Sequence, residues 1–268
     1  MAMKLGFIGG KKPDQLGQAI RLAQEFGYTG LEFDYWREFE TWITDAVVQE
    51  MKKTLQAVGI EVCAYGLWGY NPLSRDAQER ASSLRVMDQA IRGAEALGAR
   101  TMVFNTGRIL GEPLGRNIAE FVEVFDPILA RVRSAGMEAT FYAVHGGFLD
   151  GLAACERLWE ARPDVKLKYD PANWISHGDD YLEVVRRYGH KIGHVHIKEL
   201  IRDARGTTVS QPPAGMGEVQ WGKVLAFLYE HDYDGYLSVE PHMDPWRTGK
   251  GLRRNLALSK RHVSQFLL

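Results

Sequence analysis

Eight short β-rich runs, each followed by a longer stretch of helical period, are the feature that most constrains the fold of this chain. The runs are KLGFIG, GLEFD, IEVCAYG, RTMVFNT, EATFYAV, VKLKYD, IGHVHIK and GYLSVE. In the third helical stretch, Leu84, Met87, Ile91, Ala94 and Leu97 fall on one face at three- and four-residue steps. Several helical stretches close on a glycine before the next strand, in EFGYTG, AVGIE, ALGAR and SAGME. A glycine there takes the left-handed conformation that ends a helix. Eight such units in roughly 250 residues is the arithmetic of a (β/α)8 TIM barrel, an α/β fold. A doubly wound open sheet is the alternative. The count of eight and the lack of a linker favour a single barrel domain over residues 1–268. The glycine-rich GFIGGKK fits neither dinucleotide nor P-loop spacing and reads as a strand running into a loop.

Strand side chains alternate between the helix layer and the barrel interior, and the last inward residue of each strand sits at the catalytic mouth. In VKLKYD, Val165, Leu167 and Tyr169 suit the helix side, which turns Lys168 and Asp170 inward. In IGHVHIK the same logic turns His194, His196 and Lys198 inward, and in GYLSVE it turns Ser238 and Glu240 inward. Ionisable groups are costly to bury unless paired or bound to a metal. Asp170, His196 and Glu240 supply the hard oxygen and imidazole donors that suit Mn²⁺, Mg²⁺, Zn²⁺ or Co²⁺; an ion-pair network filling the barrel is the plainer alternative. In FYAVHGG, alternation predicts Tyr142 and Val144 outward and Phe141, Ala143 and His145 inward. An alanine then stands at a fourth position of the ring, where a charged group is expected.

Composition narrows the classes of function. Hydrophobic residues make up 45% and charged residues 25% of the chain, ordinary for a globular protein. A net charge of -1 argues against a general nucleic-acid or membrane surface. No run of roughly 18 apolar residues suggests a membrane span, and MAMKLGFIGG lacks the pattern of a signal peptide. A cytoplasmic location is the default expectation. Cys63 and Cys155 are far apart and read as buried free thiols.

Together KYDPANW, IGHVHIKE, PAGMGEVQW and YDGYLSVEPH, in this order and spacing, resemble the xylose-isomerase-like TIM-barrel superfamily of sugar phosphate isomerases and epimerases. In the third, Gly215, Gly217 and Trp221 look like the family's loop before the last helix. The resemblance implies a divalent metal, foremost Mn²⁺, held by a Glu on strand five, an Asp on strand six, a His on strand seven and a Glu on strand eight. Asp170, His196 and Glu240 match the last three. Ala143 stands where the first is expected, either as the natural residue or as a disabling Glu→Ala change. The implied reaction is isomerisation or epimerisation of a small sugar by proton abstraction next to a carbonyl, through an enediolate, with Glu240 catalytic. Without a partner carboxylate at 143, this chain is expected to be a weak epimerase or none. The alternatives are a metal-dependent lyase doing β-elimination on a 3-keto sugar with His145 as base, and a non-catalytic sugar-binding barrel. A three-metal nuclease of the same fold needs more ligands and a basic groove.

Further candidates for substrate contact are Glu32, Asn105, Asn173, Lys198, His242 and Arg247. Trp68 is another, with Trp36, Tyr70, Trp174 and Trp246, as rings that can stack on a sugar face at a barrel mouth. Members of this group often associate, so a homo-oligomer is expected.

Overall fold

The computed structural model describes residues 2–10, 13–35, 43–143 and 146–268. Eight parallel strands close into a barrel: β1 (Lys4–Gly10), β2 (Gly30–Tyr35), β3 (Glu61–Leu67), β4 (Thr101–Phe104), β5 (Glu138–Tyr142), β6 (Lys166–Tyr169), β7 (Ile192–Ile197) and β10 (Tyr236–Val239). Closure is made by β1 against β10, with Lys4 opposite Tyr236 and Phe7 opposite Val239. That pairing excludes the open doubly wound sheet, in which the edge strands stay apart. Each of the eight expected strand runs contains one of these strands or falls one residue short of its C-terminal end.

The helices are α1 (Leu16–Phe26), α2 (Asp45–Val58), α3 (Ala77–Leu97), α4 (Leu114–Ser134), α5 (Leu152–Ala161), α6 (Pro171–His177), α7 (Tyr181–Tyr188), α8 (Trp221–Glu230) and α9 (Gly249–Val263). Among these described helices, none is long and apolar enough to cross a membrane. Gly59 and Gly98 end α2 and α3 with φ near 68°. A Cβ added at either would meet nothing within 4 Å. These glycines therefore supply a left-handed backbone, not space.

The main core lies between barrel and helices. Leu167, Tyr169, Val195, Ile197, Leu237 and Val239 all belong to it, which leaves their neighbours on β6, β7 and β10 facing inward. Inside the barrel Ala64, Trp68, Val103 and Tyr142 form a second, smaller apolar cluster. Between β7 and α8 the chain makes a short antiparallel hairpin, β8 (Ile201–Arg202) with β9 (Thr208–Ser210). Cys63 and Cys155 are buried free thiols.

Candidate active site at the barrel mouth

Asp170 directly follows β6 and caps α6. Its Oδ1 accepts the backbone N–H groups of Ala172 at 3.1 Å and Asn173 at 3.3 Å. Pro171 at the first helical position needs no partner for a missing N–H, so the DPAN sequence is a local helix start. This fixes the carboxylate and leaves Oδ2 for the site. Oδ2 accepts from the Tyr142 hydroxyl at 3.1 Å and from Asn173 Nδ2 at 3.0 Å, and faces Lys198 Nζ at 3.6 Å. Asn173 also donates to the Tyr142 hydroxyl.

His194 and His196 point inward from β7 and are buried. Glu32, from β2, reaches across the barrel and takes both, with Oε2 2.9 Å from His194 Nε2 and Oε1 2.8 Å from His196 Nε2. The other nitrogen of His196, Nδ1, lies 2.9 Å from Glu240 Oε2. Glu240 follows β10 and also meets Lys198 Nζ at 3.3 Å and His242 Nδ1 at 3.0 Å.

The charges set one another's protonation. Burial opposes the charge on His196, but Glu32 and Glu240 at its two nitrogens outweigh burial and lift it to about 9. Burial also opposes ionisation of Glu240, yet Lys198 and His196 hold it well below the usual carboxylate range. Glu32 is likewise held low by His196 and His194 against burial. Burial lowers His194, with Glu32 working against that. At the end of β2, burial and the nearby Glu32 push Asp34 up to about 6. Burial and the neighbouring Asp170 and Glu240 raise Tyr142 far above an ordinary phenol, so its hydroxyl stays protonated.

The ligand atoms of Asp170, His196 and Glu240 lie within 4.8 Å of one another, as do those of Glu32, His194 and His196. The first trio borders the mouth; Glu32 lies beneath it, fully buried, with both oxygens engaged by imidazoles. The donor set of the first trio, two carboxylates and an imidazole, fits a divalent cation. So does the charge balance. Four buried or nearly buried carboxylates, Glu32, Asp34, Asp170 and Glu240, face two buried lysines, Lys168 and Lys198. With neutral histidines the cluster lacks two positive charges. The raised affinity of His196 for a proton reflects the same deficit.

Above the trio opens a cavity of about 580 Å³, lined by Asp34, Trp68, Tyr142, Lys168, Lys198 and Glu240 among others. Asn105, Asn173, His242 and Tyr70 also line it. Arg247 instead lines a neighbouring depression, which shares Glu240 and His242, and pairs with Asp244 at 3.2 Å. Trp174, expected at the mouth, is buried in the main core, and Trp246, half-buried, is not part of the cavity wall. Glu32, expected to touch substrate, is a buried support for the two histidines. Trp36 and His145 lie outside the described residues.

The orientation of β5 is opposite to the one alternation suggested. Phe141 turns toward the helices, where its ring packs 5.0 Å from Phe121 and 5.1 Å from Phe125. Tyr142 turns inward, packing 4.8 Å from Trp68 and bonding Asp170. Ala143 is packed in the same apolar core as Phe141. The residue of β5 that meets Asp170 is therefore Tyr142, not Ala143. Two adjacent aromatics give no hydrophobic alternation; here Phe141 joins the ring cluster of Phe121 and Phe125, and the Tyr142 hydroxyl meets Asp170.

Three residues escaped sequence reasoning: Tyr142, Asp34 and Glu199. Asp34 is buried against Trp68, whose indole N–H donates to it. Its signal was the second carboxylate in GLEFD, two residues after Glu32. Glu199 accepts from the backbone of Gly215 at 3.2 Å and Val219 at 2.9 Å and from Trp221 Nε1 at 3.2 Å. A Cβ on Gly217 would meet Leu200 O at 2.4 Å and Glu199. PAGMGEVQW is thus a loop wrapped around one buried carboxylate, that of Glu199.

The profile of the family described as xylose isomerase-like TIM barrel matches residues 20–262. An inosose dehydratase of Clostridium perfringens is 23% identical over 162 residues, 54% of this chain and 53% of that enzyme. The chain thus aligns with about half the length of that curated relative. Among solved structures, an L-ribulose 3-epimerase superposes with a TM-score of 0.78 at 15% identity, covering 98% of this chain and 94% of that one. An IolI protein with a bound zinc atom gives 0.77 at 15% identity, covering 98% and 99%. With its closed eight-stranded barrel, its mouth-facing polar cluster and a profile match spanning nearly its whole length, this chain belongs to the xylose isomerase-like TIM-barrel family.

Proposed function

We propose that the protein enolises a small cyclic or open-chain keto-polyol and completes the reaction as an elimination, expelling a hydroxyl as water. The observation that carries this reading is the unequal pair of groups at the mouth. Glu240 is an ionised carboxylate, whereas the end of β5 presents Tyr142, a phenol held protonated. An epimerase runs in both directions, so groups on both faces of the carbon must serve in turn as base. Tyr142 cannot take that turn at neutral pH. Elimination needs one base and one donor to the departing oxygen. The sequence similarity to an inosose dehydratase supports the same reading.

Asp170, His196 and Glu240 would hold a divalent metal, which when bound supplies Lewis acidity that loosens the proton next to a carbonyl. Glu240 lines the cavity and accepts that proton. Glu240 then delivers that proton to the departing oxygen, which leaves as water, while His242, with a half-exposed side chain 3.0 Å away, hydrogen-bonds Glu240. Lys198 and Asn173 orient Asp170, and the neutral Tyr142 hydroxyl, turning from Asp170 Oδ2, would hydrogen-bond the departing oxygen. Trp68 and Tyr142 offer ring faces to the C–H surface of the substrate.

The test is scyllo-inosose incubated in D₂O with the Mn²⁺-loaded protein. Loss of one water by mass spectrometry, with one deuterium on the product carbon that had carried the departing hydroxyl, is the expected result. Formation of an epimer without loss of water would overturn the elimination; no exchange at all would overturn the enolisation.

A further inference from the structure

Among the described residues, two lysines, Lys168 and Lys198, point into the barrel, and only Lys198 is in an ion pair. Lys198 sits between Asp170 and Glu240. Lys168, in contrast, is 1% exposed and has no carboxylate within the 4.0 Å of an ion pair among the described residues. Its Nζ lies 3.4 Å from the centre of the Tyr142 ring and 5.6 Å from that of Trp68. Ring faces give a cation some attraction but accept none of its three N–H bonds in the manner of an oxygen. A buried ammonium without an acceptor is costly to keep. Lys168 nonetheless lines the cavity rather than a closed interior.

Asp34 lines the same cavity and feels the charge of Lys168 without touching it. One of its oxygens, Oδ1, accepts from the Trp68 indole, and the carboxylate lies over Gly66, in the space a Cβ there would fill. A donor and an acceptor thus stand on the cavity wall, too far apart to satisfy each other. A ligand oxygen that both accepts and donates would serve the two together.

We infer that Lys168 and Asp34 form a subsite for one hydroxyl of a cyclic polyol, separate from the oxygens bound at the Asp170, His196 and Glu240 trio. The hydroxyl oxygen accepts from Lys168 and its proton is donated to Asp34. A carbonyl at that position cannot donate and leaves Asp34 unserved; a methylene serves neither group. The subsite therefore selects for hydroxyl over ketone and over deoxygenated carbon. Trp68 and Tyr142 hold the apolar ring face beside it. This inference deepens the keto-polyol reading and rests on it for the substrate class.

The test separates binding from chemistry by using myo-inositol, which has no carbonyl to enolise, and its monodeoxy analogues. Titration calorimetry on the Mn²⁺-loaded full chain is expected to show one analogue binding about 10- to 100-fold more weakly than the parent, the loss of a charge-assisted hydrogen bond. In Lys168→Met that analogue and the parent should bind alike. Lys168→Gln, similar in length and still a donor, should recover part of the discrimination and covers the case in which the methionine variant fails to fold. The inference is overturned if wild type binds none of the series, if it binds all of them equally, or if the Lys168 variants weaken every analogue by the same factor. Failure of the enolisation reading shows elsewhere, as absence of proton exchange in scyllo-inosose, and leaves the inositol result to stand or fall by itself.

Discussion

The two sides of the barrel interior are built on different physics. Strands β6, β7 and β10 carry Lys168, Asp170, His194, His196, Lys198 and Glu240 to the mouth, where all but Lys168 are bound to one another in a chain that Glu32 anchors from below. Strands β3, β4 and β5 offer Ala64, Val103, Tyr142 and the following Trp68, which meet through apolar surface. The polar side is self-satisfying and stiff, able to polarise a carbonyl and move a proton. The aromatic side makes few demands and suits the C–H face of a ring. Lys168, from the first side, is laid across the rings of the second, and that is where an oxygen is wanted.

The largest effect is expected from breaking the polar chain at its shared member. His196→Ala leaves Glu32 and Glu240 each without a principal partner in a buried setting, a loss of about 3–5 kcal/mol by the cost of uncompensated buried charge. Urea denaturation measures this, and metal content by mass spectrometry should fall to background. A variant with full metal content would show that His196, the member shared by both trios, is not a ligand.

Next come substitutions that test which residue of β5 faces the mouth. Ala143→Glu places a carboxylate in the apolar core and should unfold at clearly lower denaturant without gaining metal affinity, because burying an unpaired charge costs several kcal/mol even after relaxation. Tyr142→Glu adds a carboxylate beside Asp170 and should tighten metal binding while slowing elimination. If Ala143→Glu instead tightens the metal and raises proton exchange, position 143 faces the site after all. Glu240→Gln should lower the rate of proton exchange by about 10²- to 10⁴-fold with the fold retained, the usual share of a general base.

A smaller effect concerns pH. His196 binds its proton more tightly folded than unfolded, so it contributes stability that is fully present below about 6.5 and lost as pH rises through about 9. Metal must displace that proton, so affinity should increase with pH up to about 9 and binding near pH 7 should release about one proton. Calorimetry in buffers of different ionisation enthalpy counts the proton; a count of zero refutes the assignment. The smallest effect belongs to Arg247→Ala: its pairing with Asp244 is exposed, and stability should move by less than about 1 kcal/mol in thermal melts.

Much of this molecule follows from local pattern. The eight strands and the glycines that close helices were legible because period-two and period-3.6 hydrophobicity and left-handed caps are properties of short segments. Asp170, His196 and Glu240 were legible for the same reason: each stands where a polar residue interrupts an apolar alternation, KLKYD, HVHIK or LSVE. The orientation of β5 was not, because Phe141 and Tyr142 are both large and apolar enough for either face. What settled it lies elsewhere in the chain, in Phe121 and Phe125 on α4 and in Asp170 after β6.

The division has one physical cause. Alternation and capping are decided by neighbours in sequence, so the amino-acid sequence determined which segments are strands and which ionisable groups end them. Pairing inside a closed barrel is decided by which strands meet across it. Glu32 reaches His194 over 162 residues and His196 over 164, and Lys168 ends beside rings from β5 and the end of β3 rather than beside a carboxylate. Only tertiary closure decided those partners, because only closure removes the water that would otherwise have served every one of them.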